Sequence, residues 1–145
     1  MTIDITNRSG VDAPVAEIES LLTFGIDYME LHPECELSVT FVDDKEMEEL
    51  HIKWMDEPGT TDVLSFPMDM PEGKHDAVTL GDIVIDPIVA ATQAKSAGHS
   101  TDHEIFILAS HGLLHILGYD HADPDEEKVM FELQEKIVKE WVNQK

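Results

Sequence analysis

The stretch DHEIFILASHGLLHILGYDH, residues 102–121, decides how this chain reads. Between Asp102 and Gly118 the apolar residues Ile105, Phe106, Ile107, Leu108, Ala109, Leu113, Leu114, Ile116 and Leu117 leave no solvent face at helical spacing. A helix that is hydrophobic all round is a buried one, so the stretch predicts a helix through the centre of the domain. The chemistry lies in its polar exceptions. His111 and His115 are four residues apart, about 40° around a helix of about 3.6 residues per turn, so both imidazoles leave the same face one turn apart. Gly118 can adopt the left-handed conformation that ends a helix and turns the chain back, which brings His121 toward the same point.

Three neutral imidazoles converging in this way suit a single Zn²⁺, and a fourth position left to water marks a catalytic rather than a structural centre. Zinc lowers the pKa of such a water to about 7, so hydrolysis is the natural reaction class. Taken singly, each histidine reads as a core or helix-end residue with a satisfied hydrogen bond. Two imidazoles on a buried apolar helix, however, strand polar nitrogens, and a metal supplies their partners. Cys35 is the only cysteine, which excludes an intrachain disulfide and a cysteine-based zinc site and fits a reducing cytoplasm. The same histidine and glycine spacing occurs in the metzincin peptidases, H-E-x-x-H-x-x-G-x-x-H. Position 112 is Gly where those enzymes carry a general-base Glu, which argues against peptide hydrolysis.

Outward from this helix, the chain alternates short strands and amphipathic helices. Residues 2–6 read as a strand. A helix follows, with Asp12 as N-cap, Pro14 in its first turn, an inward stripe of Val15, Ile18, Leu21, Leu22, Ile26 and Met29, and a stop at His32-Pro33. Leu37, Val39 and Phe41 alternate in a second strand, and Asp43-Asp44 cap a helix to about Met55. TDVLSF, residues 61–66, is a third strand, 67–77 a surface loop, and 78–85 a fourth strand. Asp86-Pro87 launches a helix stopped by Gly98, and Asp123-Pro124 begins a last helix with Val129, Met130, Leu133, Ile137 and Trp141 facing inward. The expectation is an α+β fold, one domain over residues 1–145, with a mixed sheet of about four strands packed around the central buried helix. No apolar run approaches the roughly 20 residues of a membrane helix, and no signal peptide is recognisable.

With 31 acidic against 9 basic residues, the net charge is −22. No window gathers enough bases for a nucleic-acid or anionic-membrane footprint, so charge alone argues against a conventional nucleic-acid binder.

HGLLHILGYDH at 111–121 overrides that inference locally, because it resembles the hallmark H-G-x-L-H-x-x-G-Y-D-H of the YbeY family of bacterial rRNA maturation endoribonucleases. TDVLSFP at 61–67 and LGDIVI at 80–85 carry the same family's words in the same order, so the resemblance runs from about residue 37 onward. It implies a zincin-like fold and a zinc-dependent, single-strand-specific endoribonuclease of the cytoplasm, acting in small-subunit rRNA 3′-end maturation, ribosome quality control and RNA turnover. Its partners would be RNA, chiefly precursor or defective rRNA, with ribosomal proteins or assembly factors, and neither DNA nor membrane. His111, His115 and His121 would hold the metal, and Thr61, Asp62 and Ser65 would line the substrate cleft or serve as cap and strand positions. Asp82 and Asp120 are candidates to orient a ligand imidazole through its other nitrogen. Tyr119 and Trp54 read as packing residues, with base stacking as the alternative. One position departs from the family pattern: many members carry an arginine where this chain has Met55, and Lys53 is the nearest base. That departure and the acidic surface support an alternative, a non-catalytic ribosome-assembly factor with a structural zinc.

Overall fold

Two alternating segments, β1 (Ile3–Asn7) and β2 (Glu36–Phe41), lie side by side in parallel, with Ile5 opposite Val39. A parallel pair needs a crossover, and α1 (Val15–Tyr28) provides it, burying Ile18, Leu21, Leu22 and Ile26. The structure is a computed structural model that describes residues 3–72, 75–120 and 122–144. Then follow α2 (Asp44–Met55), β3 (Val63–Pro67), β4 (Thr79–Ile85), α3 (Pro87–Ala97), α4 (Thr101–Ile116) and α5 (Pro124–Asn143). The sheet order is β1-β2-β4-β3, with β4 parallel to β2 and β3 antiparallel along the outer edge. The expected α+β architecture with a mixed four-stranded sheet is therefore present.

Capping chemistry sets most helix starts. Asp43 accepts from the Glu46 amide at 2.9 Å, Asp86 from Ile88 at 2.9 Å, Ser100 from His103 at 3.1 Å and Asp123 from Glu126 at 2.9 Å. The first helix departs from expectation at both ends. Pro14 precedes it without a side-chain cap, so Asp12 lies outside. It stops at Tyr28, before His32, because Glu30 takes a left-handed φ of 57° and the Leu31 amide closes back on the Ile26 carbonyl at 3.0 Å. Val15 and Val129, placed on inward stripes, are exposed. Val129 falls about 100° off the stripe that buries Met130, Ile137, Val138 and Trp141.

The two faces of the sheet differ. On one, α1, α3, α4 and α5 share the main core with Leu37, Val39, Leu80, Ile83 and Ile85. On the other, α2 covers a smaller cluster of Val42, Met47, Leu64 and Val84. α4 packs at once on β3, β4, α1, α3 and α5, which is why its sequence is apolar on nearly every side. The expectation of no solvent face holds for most of its length but fails at the C-terminal end, where His115 is exposed and His111 half-buried. The approach of α4 to the sheet is close: a Cβ on Gly112 would stand 2.9 Å from Ile83 Cγ2, so only glycine fits there. Among the described residues no helix is long and apolar enough to cross a membrane.

Candidate functional site

α4 ends as the sequence predicts. Gly118 takes a φ of 98°, and the Tyr119 amide bonds back to the Leu114 carbonyl at 3.1 Å, reversing the chain directly beyond His115. His111 and His115 stack one turn apart, with ring centroids 6.0 Å apart and planes 24° from parallel. His121 lies outside the described residues. Among the described residues no group of three metal-ligating side chains is assembled, and two of the three expected ligands stand side by side.

Each imidazole is oriented by a bond at Nδ1. His111 Nδ1 donates to Gln134 Oε1 of α5 at 3.0 Å, and His115 Nδ1 donates to the Tyr119 carbonyl at 3.0 Å. Because both acceptors are oxygens, the proton sits on Nδ1, and Nε2 carries the lone pair in each neutral ring. This tautomer and its outer hydrogen bond are what a histidine metal ligand requires. Contrary to the expectation from a buried helix, these nitrogens are not stranded. His115 is exposed, and both rings have protein partners for Nδ1, so the fit to a metal rests on ring pairing and tautomer rather than on orphaned polar atoms. Phe131 of α5, its ring centroid 6.2 Å from that of His111, gives that imidazole an apolar neighbour.

The other candidates divide by location. Ser65 points to the α4 side of edge strand β3 and donates to the Gly112 carbonyl at 3.4 Å, beside His111. Asp120 is exposed on the turn between α4 and α5, next in sequence to His121. Thr61 and Asp62 stand at the opposite end of β3. There Asp62 accepts from the Val63 amide at 2.8 Å and from the Thr61 hydroxyl at 3.3 Å, and its carbonyl accepts from the Asp86 amide at 3.0 Å. These are the contacts of a strand cap. β4 finishes at this end with Ile85, whereas the α4 terminus lies near Met70, beyond the other end of β3. Among the described residues Asp82 is bonded to no imidazole. Strand alternation puts it with Ser38 and Phe66 on the sheet face away from α4, and the orienting groups are Gln134 and the Tyr119 carbonyl.

The sequence does carry a signal for Gln134. Met130, Leu133, Ile137, Val138 and Trp141 form the buried or half-buried stripe of α5, and position 134 falls within it. A polar residue in an apolar stripe marks a specific partner. The structure also accounts for Gly112. This position faces Ile83 of the sheet rather than the histidines' open side, so it offers no place from which a glutamate could act as a base.

The fold resembles the solution structure of TM1509 from Thermotoga maritima, with a TM-score of 0.72 and 25% identity over 99% of this chain and 91% of that one. A protein of Mycobacterium sp. (strain KMS) named Endoribonuclease YbeY is 50% identical over 149 residues, covering 98% of this chain and 84% of its own length. A protein of the same name from Clavibacter michiganensis is 52% identical over 143 residues, covering 95% of this chain and 94% of its own length. The family described as Endoribonuclease YbeY matches residues 4–142, which takes in all five helices' cores and the histidine pair. The chain belongs to the YbeY endoribonuclease family.

Proposed function

We propose that residues 1–145 form one metal-dependent endoribonuclease domain that cleaves single-stranded RNA. In the cell it would act in small-subunit rRNA 3′-end maturation, ribosome quality control and RNA turnover. The observation that carries the reading is the His111–His115 pair. Two imidazoles stand one turn apart at the open end of a buried helix, each held in the Nδ1-protonated tautomer by an oxygen acceptor. His111, His115 and His121 would hold Zn²⁺. When bound, zinc would supply a Lewis acid for phosphoryl oxygens and would acidify a water to near-neutral pKa.

The chain's own contribution is placement. Gln134 and the Tyr119 carbonyl fix the rings, Gly112 lets α4 sit hard against the sheet, and Gly118 reverses the chain directly beyond His115. Ser65 lies beside this end of α4, within reach of a substrate that crosses edge strand β3. The partners under this reading are precursor or defective rRNA and the ribosomal proteins or assembly factors that present it in the cytoplasm. Family membership supports RNA as the substrate.

The test is metal analysis followed by cleavage of single-stranded RNA, with wild type and His115→Ala prepared in parallel. Stoichiometric zinc and cleavage in the wild type, both lost in the variant, are expected. Undiminished cleavage by a metal-free His115→Ala protein would overturn the proposal.

A further inference from the structure

The sheet face opposite the histidine pair is only partly covered. α2 seals it at Leu64 and Val84 and leaves a groove of about 510 Å³ whose walls include Arg8, Ser38, Thr40, Trp54, Phe66 and Asp82. Trp54, in the last turn of α2, is 58% exposed and meets the edge of Phe66 at a centroid distance of 6.1 Å and an interplanar angle of 68°. The Lys53 ammonium stands 5.1 Å from the Trp54 ring centroid. Met68, which lines the same groove, is also exposed. An indole held in water within an apolar patch marks a binding surface more often than an accident of packing.

The position of this patch relative to the histidines identifies an occupant. Phe66 and Ser65 are neighbours on edge strand β3 and point to opposite faces: Phe66 toward Trp54, Ser65 toward Gly112 beside His111. A strand passing over this edge touches both. Charge identifies how it would be held. The chain has 9 basic residues against 31 acidic ones, and Arg8 in this groove is already paired with Glu46. Phosphate contacts are therefore scarce, whereas base stacking on an aromatic ring needs no net positive charge.

Resting on the endoribonuclease reading above, we propose that Trp54, braced by Phe66 and flanked by Lys53, is a stacking platform for a base of the single-stranded RNA substrate. The stacked nucleotide lies across β3 from the histidine pair, so the platform positions RNA rather than reacting with it. Lys53 meets that nucleotide's phosphate. RNA affinity then depends weakly on salt, because few counterions are released.

Trp54 fluorescence tests this directly. The only other tryptophan, Trp141, is fully buried and donates to Ser20 Oγ at 3.0 Å, so a change in emission on adding RNA reports Trp54. A single-stranded oligoribonucleotide of about 12 nucleotides is expected to quench wild-type emission. Trp54→Ala should weaken binding about 5- to 150-fold, the equivalent of one lost stack, with the loss in cleavage appearing in KM rather than kcat. Trp54→Phe should retain most of the affinity while losing the quench. Unquenched emission at saturating RNA, or wild-type RNA affinity and KM in Trp54→Ala, would overturn the platform, as would happen if a ribosomal protein docked there instead. A quenched complex that wild-type protein with zinc does not cleave would support the platform and count against the nuclease reading alone.

Discussion

Replacing Gly112 with alanine should destabilise this protein even though the change favours the helix in isolation. In a helix interior, alanine is about 1 kcal/mol better than glycine. The added Cβ would stand 2.9 Å from Ile83 Cγ2 and 3.2 Å from both Cγ1 and Cδ1, about 0.5 Å inside ordinary contact at the nearest atom. Ile83 is fully buried and β-branched, so its Cγ2 cannot swing aside without moving the strand. Overpacking of this kind costs about 1–3 kcal/mol, leaving a net loss of about 1 kcal/mol, or about 2–4 °C in Tm for a chain of this size. Relief comes only if α4 lifts from the sheet, carrying His111 with it. Urea unfolding of Gly112→Ala, Ile83→Ala and the double variant, at constant m-value, separates the terms. With the isoleucine truncated, the clash disappears and Gly112→Ala should turn stabilising by about 1 kcal/mol, a coupling of about 2 kcal/mol between the sites. Stabilisation of the wild-type background by Gly112→Ala, or an equal change in both backgrounds, would refute the clash.

Two further outcomes follow from the same contacts. Gln134→Leu should fold normally but bind zinc about 10- to 100-fold more weakly by chelator competition, because His111 loses the acceptor that holds its tautomer; unchanged affinity would remove Gln134 from the site. Asp86 is fully buried, and burial first, then the facing Asp44 carboxyl, raises its pKa from 3.8 to about 7. The folded state thus holds this proton where the unfolded chain has released it, so the group's contribution to stability is complete below pH 3.8 and lost as pH rises toward 7. Asp86→Asn keeps the amide acceptor that caps Ile88 and should erase this loss, gaining on wild type between about pH 5 and about pH 8 in urea midpoint. A parallel pH dependence in the two proteins would refute the assignment.

How legible each feature was depends on the range of the interaction behind it. Asp43, Asp86, Ser100 and Asp123 cap helices through bonds to amides two or three residues away, so their role is local and readable. The i, i+4 histidine pair and the Gly118 reversal are equally local and stand where spacing put them. Asp82 stands on the sheet face away from α4 because one residue of strand register decides its face, and that register is set by pairing with Ser38 and Phe66, distant in sequence. Thr61 and Asp62 belong to the same words of sequence as Ser65, yet a strand of several residues carries them to the far end of the sheet.

The amino-acid sequence by itself determined the elements, the buried character of α4, the side-by-side imidazoles and the family, since periodicity, capping and motif spacing are properties of neighbouring residues. Tertiary structure alone decided what surrounds them. It brought Gln134 of α5 to His111 across 23 positions. It pressed Gly112 against Ile83, which closes the position a peptidase would use for its base. It also left the end of α4 open at His115 and Trp54 in water across edge strand β3. Those relations depend on how helices and sheet pack, and packing is settled by contacts between residues that are remote along the chain.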